Sequence, residues 1–154
     1  MTIQQLQIKF KTLIKDTIDK PLMNRIGIEV AQLVKTRTRK GFGVSANLAP
    51  QKRLKGISES YKKQRKRLAA QGRLSGETTV NRSNLTKSGD MLDDITHTST
   101  TNTATIFIKG SKNRGKAERG AKERPFMNLS KSEVNKITRI VTEEFNKDIN
   151  KKGL

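Results

Sequence analysis

Apolar residues recur at helical spacing toward both ends of the chain, and they alternate with polar ones once, between residues 94 and 109. Thr2 and Gln5 form a capping box, and Ile3, Leu6, Phe10, Leu13 and Ile14 behind it share one helical face, predicting a helix to about Ile18. Asp19 and Lys20-Pro21 then predict a stop and a restart, because proline is tolerated in a first turn that lacks intrahelical N–H partners. Leu22, Ile26, Val30, Leu33 and Val34 keep the helical period in a second helix that should end near Arg39, ahead of Gly41.

The stretch GFGVSANLAPQ, residues 41 to 51, follows neither period and reads as an exposed loop. In ISESYKKQRKRLA, a stripe of Ile57, Tyr61, Gln64 and Leu68 predicts a short helix with one dry face and basic residues on the rest. AQGRLSGETTVNRS reads as another loop. DITHTSTTNTATIFIK alternates β-branched and polar residues on either side of a Thr/Asn turn, which predicts a hairpin. In its second strand Ala104, Ile106 and Ile108 share one face and Phe107 takes the other, where a neighbouring subunit would cover it. GSKNRGKAERGAKER, residues 110 to 124, has no periodicity, is rich in Gly and Lys, and is expected to stay disordered until assembly. Ser130 and Glu133 form a second capping box, starting a helix with Val134, Ile137, Val141, Phe145 and Ile149 along one side. Helices, hairpin and helix in that order, without an internal repeat, predict an α+β fold. At 154 residues we expect one domain, 1–154, with flexible loops at 41–52 and 110–124.

Composition sharpens this picture. The hydrophobic share is 32%, and even with eleven glycines added it stays below the roughly 45–50% of ordinary soluble domains, so the core should be thin. The absence of cysteine excludes a disulfide framework and thiolate zinc sites, and leaves a cytosolic origin as the default. No apolar run approaches a membrane span, and MTIQQLQIKF does not have the layout of a signal peptide. The net charge is +19, and residues 35–73 contribute +12 of it, thirteen Lys and Arg against the single acid Glu59. Charge so concentrated repels itself unless a polyanion neutralises it, whether nucleic acid or an acidic protein surface. Lys62, Lys63, Arg65, Lys66 and Arg67 on the basic helix, with Arg37, Arg39 and Lys40 before the first loop, are the candidate contacts.

Catalytic chemistry finds little purchase. His97 is the only histidine and falls in a predicted strand, and the nearest acids, Asp90, Asp93 and Asp94, are its only available partners for a metal site. A structural role is the expectation for all four, and neither cofactor nor metal is expected. The glycines of GFG and RGKAERG do not have phosphate-loop or dinucleotide-fingerprint spacing. No DNA-reading motif is present, and only Tyr61 and Phe42 lie near enough to the basic block to stack on bases.

Two segments resemble a known family. Leu85-x-x-Ser88-Gly89-x-Met91-x-x-Asp94-Ile95 is similar to the L-x-x-T-G-x-L-x-x-S-I segment of tailed-phage virion morphogenesis proteins, the tail-completion and neck proteins. Arg124-Pro125-Phe126-Met127-Asn128-Leu129-Ser130 resembles their R-P-F-L-x-L-S segment, which precedes the last helix, and the basic stretch Arg53 to Arg67 lies in the matching place. The tryptophan often found before the family's basic helix is absent here, and so is its Tyr-Ala and Gly-Thr segment before R-P-F. The resemblance implies a non-enzymatic structural protein, made in the host cytoplasm and built into the virion at the neck or head-proximal end of the tail. There it would form a ring of several copies, contacting other neck, connector or tail proteins and genomic DNA in the channel, with no membrane partner. The basic block would face either that DNA or an acidic neighbour. The competing reading from the same charge is a free nucleic-acid-binding or packaging protein. A carboxylate-metal nuclease built on Asp90, Asp93 and Asp94 is a third.

Overall fold

The computed structural model describes residues 7, 9, 12, 14–74, 79–81, 83, 85 and 90–152. Most of the first predicted helix, including Thr2, Ile3, Gln5, Leu6, Phe10 and Leu13, lies outside the described residues, as do Ser88 and Gly89 of the first family-like segment.

The fold is α+β, with helices at both ends and two small antiparallel sheets. A first helix, α1, is described continuously over residues 14–17 and ends there. The restart falls where the proline predicts it. Asp19 caps α2 (Lys20–Arg39) by accepting a hydrogen bond from the Leu22 N–H at 2.8 Å, with Pro21 in the first turn. Then follow β1 (Phe42–Gly43), β2 (Lys52–Arg53), α3 (Glu59–Ala70), the short α4 (Asp90–Asp93), β3 (Ile95–Ser99), β4 (Ala104–Ile108), α5 (Ser111–Ala121) and α6 (Lys131–Lys152).

β3 and β4 pair with Ile95 opposite Ile108, Thr96 opposite Phe107 and His97 opposite Ile106, so alternation sorts the hairpin into an inner and an outer face. Helix α2 crosses the inner face. Gly27 makes the crossing close enough that a Cβ added there would sit 2.4 Å from the His97 ring, and His97 Nε2 meets Asn24 Oδ1 at 2.8 Å. The histidine is thereby a structural bridge between helix and strand. Ala31, Val34, Leu92, Ile95, Ile108, Ala117 and Phe126 form the buried core, small as the composition requires. Phe107 stands on the outer face and remains exposed.

Two expectations are corrected. Residues 110–124 are not a structureless loop: α5 occupies most of the stretch. It docks through Ala117, buried in the core, and Ala121 against it, while Asn113 Nδ2 donates to Asp94 Oδ2 at 2.7 Å. An apolar contact made only by alanines leaves no stripe of large residues for periodicity to detect. The 41–51 segment is also less exposed than its composition suggests, since Val44 is fully buried. It runs beside the R-P-F segment, with the Val44 N–H donating to Pro125 O at 3.1 Å and the Leu48 N–H to Leu129 O at 2.7 Å. Asn128 Nδ2 donates to the carbonyls of Val44 and Ser45, and only glycine fits at 43, where a Cβ would lie 2.1 Å from Pro125 O.

The C-terminal capping box forms as predicted. Ser130 Oγ accepts from the Glu133 N–H at 3.4 Å, and Glu133 Oε2 accepts from the Ser130 N–H at 2.8 Å. The same carboxylate oxygen lies 2.6 Å from the guanidinium of Arg37, whose other terminal nitrogen donates to Phe126 O. The end of α2, the start of α6 and the R-P-F segment are therefore tied at one buried point.

Candidate polyanion-contact surface

Eight basic residues stand as candidate contacts, and the fold divides them. Arg37 leaves the set. Its side chain is 3% exposed and is spent on Glu133 and Phe126. Burial pushes its guanidinium below the ordinary arginine value, while the Glu133 charge and hydrogen bond pull it back. Arg65 leaves it too, because the dry face of α3 includes the arginine and not Gln64, which is exposed. Its guanidinium lies 5.0 Å from the centre of the Tyr61 ring and donates to Thr79 O at 2.6 Å. Neither residue reaches an external polyanion.

Six candidates keep access to solvent. Lys40, Lys63, Lys66 and Arg67 are exposed. Lys62 is partly covered and pairs with Glu59 one turn back on α3, and Arg39 pairs with Asp93 at 2.5 Å. Ser58 caps α3 by accepting from the Tyr61 N–H at 3.3 Å, which sets the helical phase that turns Lys63, Lys66 and Arg67 outward.

The same region contains an open cleft of about 920 Å³, lined by Tyr61 and Arg65 of α3 with its cap Ser58, by Lys116 of α5, and by Glu123 and Arg124. Ile57, Leu85 and Met91 contribute apolar lining, and Lys55 adds a further cation. Arg124 shapes the cleft: its Nε and a terminal nitrogen donate to the carbonyls of Lys55 and Gly56 at 3.1 and 3.0 Å. Lys55 pairs with Glu123 at 3.2 Å, both side chains well exposed, so the pair is weak. Helix α5 carries Lys112, Arg114, Lys116 and Arg119, with Lys122 capping its end, all exposed, and Lys116 lines the cleft. Sequence reasoning saw their charge and missed their helix.

Two of the acids that could have supported a nuclease make structural bonds. Asp94 accepts from Asn113, Asp93 pairs with Arg39, and Asp90 is an exposed residue at the start of α4. Among the described residues no cluster of three His, Cys, Asp or Glu is placed to hold a metal ion, and no helix is long and apolar enough to cross a membrane. Among the described residues, four of the family-like positions pack in or against the core. Ile95 and Phe126 are core residues, Leu85 and Met91 pack against the core, and Leu85 takes a left-handed backbone at φ 57°. No protein-family model, curated protein or solved structure matches the chain.

Proposed function

We propose that this chain is a non-enzymatic structural component of a tailed-phage virion, a tail-completion or neck protein that forms a multi-copy ring at the head–tail junction. The observation that carries the reading is the place of the R-P-F-M-N-L-S segment at the structural hub. Arg124 clamps the 55–56 backbone, Phe126 is fully buried, the Phe126 carbonyl receives Arg37, and Ser130 opens the last helix. A segment on which a family resemblance rests should matter to the fold in this way. Surfaces suited to packing between copies support it as well. Phe107 and Ile28 are exposed, and an open apolar cleft of about 530 Å³ runs between α2, β4 and α6, lined by Ile26, Val30, Ile106, Val134, Ile137 and Val141.

The second reading, a free nucleic-acid-binding or packaging protein, draws on the net charge of +19 and the exposed cations of α3 and α5. The mass of the purified protein in solution, at low and high salt and with or without duplex DNA, separates the two. A ring that persists whether or not DNA is present supports the neck or tail-completion reading. A monomer that binds duplex tightly at low salt and releases it as salt rises supports the other.

A further inference from the structure

The helix hidden in the sequence enlarges the basic surface and gives it a second side. On α5, Lys116 lines the cleft, and Lys112 and Arg119, one turn before and after it, continue the same face. On α3, Tyr61 and Arg65 line the cleft, Lys62 stands next round the helix at its rim, and Lys63, Lys66 and Arg67 lie farther round on the solvent face. We propose that α3 and α5 form the two lips of a single track that binds the phosphodiester backbone of nucleic acid. The proposal extends the polyanion contact of the reading above and stands whether or not the chain forms a ring.

The character of the lips selects nucleic acid over an acidic protein. Protein interfaces take most of their energy from apolar and aromatic anchors in a core depleted of charge, whereas nucleic-acid interfaces are polar and strongly positive. Among the described residues the exposed large hydrophobics are Ile14, Ile28, Leu48 and Phe107, and none of them lies on α3 or α5. What the two helices expose is Lys63, Lys66 and Arg67 on one and Lys112, Arg114, Lys116 and Arg119 on the other. The acids nearby are Glu59, Glu118 and Glu123, all exposed, and the pairs that Glu59 and Glu123 make with Lys62 and Lys55 are ones a phosphate can replace at little cost. Arg65 contributes positive potential from beneath without touching the ligand.

The test is fluorescence anisotropy with a labelled duplex of about 20 base pairs and a single strand of equal length, between about 50 and 200 mM salt. It uses the full chain, an α5 variant (Lys112→Gln, Lys116→Gln, Arg119→Gln) and an α3 variant (Lys62→Gln, Lys63→Gln, Lys66→Gln, Arg67→Gln), with circular dichroism confirming that each folds. Each variant should lose on the order of tenfold in affinity at low salt, and its log–log salt slope should shrink by about 0.9 per contact removed on duplex or about 0.7 on single strand. A larger loss on one probe identifies the form of nucleic acid; equal losses assign the backbone common to both. An α5 variant that binds like the parent chain, with an unchanged slope, would overturn the two-lipped track. So would a labelled poly-glutamate of matched charge that binds as tightly as the duplex and loses affinity with the same substitutions. Solution mass, measured in parallel, reports on the ring separately.

Discussion

The joint between α2 and α6 and the cleft between α3 and α5 both draw on the same basic quarter of the chain, and they use its charge in opposite ways. At the joint Arg37 is buried and bound to Glu133 and Phe126. On α3, whose inner face lines the cleft, Lys63, Lys66 and Arg67 stay in water while Arg65, two positions from its exposed neighbours Lys63 and Arg67, is buried against Tyr61. Net charge alone therefore does not say which cations meet a partner. A guanidinium can be retained inside because its planar donors satisfy a carboxylate and a carbonyl together, while a lysine's compact, strongly hydrated ammonium favours the surface.

The contrast can be broken most forcefully at the joint. Arg37→Ala strands Glu133 in the interior and should cost about 3–5 kcal/mol, measured as a fall in the urea midpoint. Arg65→Ala should cost about 2 kcal/mol in the same assay, since it removes a charged hydrogen bond and a covered side chain. Ala117→Leu tests how α5 is seated. Overpacking the buried alanine should cost about 1–3 kcal/mol, with the loss appearing as faster amide exchange over residues 111–121. Replacing Lys63, Lys66 and Arg67 together by Gln should move stability by no more than about 0.5 kcal/mol per site, so a large loss there would erase the distinction between the two regions.

The smallest effect is expected at Glu144, half-buried on α6 beside Lys147 and Arg25. The hydrogen bond from Lys147, then the Lys147 and Arg25 charges, outweigh desolvation and hold its carboxyl below the ordinary 4.5. A depressed folded value means stability that is present above the unfolded value and lost as pH falls through the folded one. Glu144→Gln should therefore lower the urea midpoint slightly at neutral pH and leave it unchanged in acid below the folded value. An equal shift at both pH values would remove the electrostatic explanation.

Legibility followed the size of the side chains that do the packing. Helix α6 was evident because Val134, Ile137, Val141, Phe145 and Ile149 repeat at helical spacing behind a complete capping box. The hairpin was evident because alternation separates Ile106 and Ile108 from Phe107. Helix α5 was not, because it is seated by Ala117 and by Asn113 on Asp94, contacts that exist only once the hairpin and α4 are in place. The candidate surface divided along similar lines: exposed lysines of α3 could be named in advance, and the second lip on α5 could not.

By itself the sequence determined the α+β class, the break at Asp19 and Pro21, both faces of the hairpin, the cap of α6 and where the positive charge is concentrated. Those depend on periods, caps and charge, which are local. The tertiary structure decided that Arg37 and Arg65 belong to the interior, that Val44 is covered by the R-P-F segment, and that a glycine-rich basic stretch is a helix seated on the core through Ala117. Each of these depends on what lies across a contact far away in the chain, and burial is a property of the contact rather than of the residue that enters it.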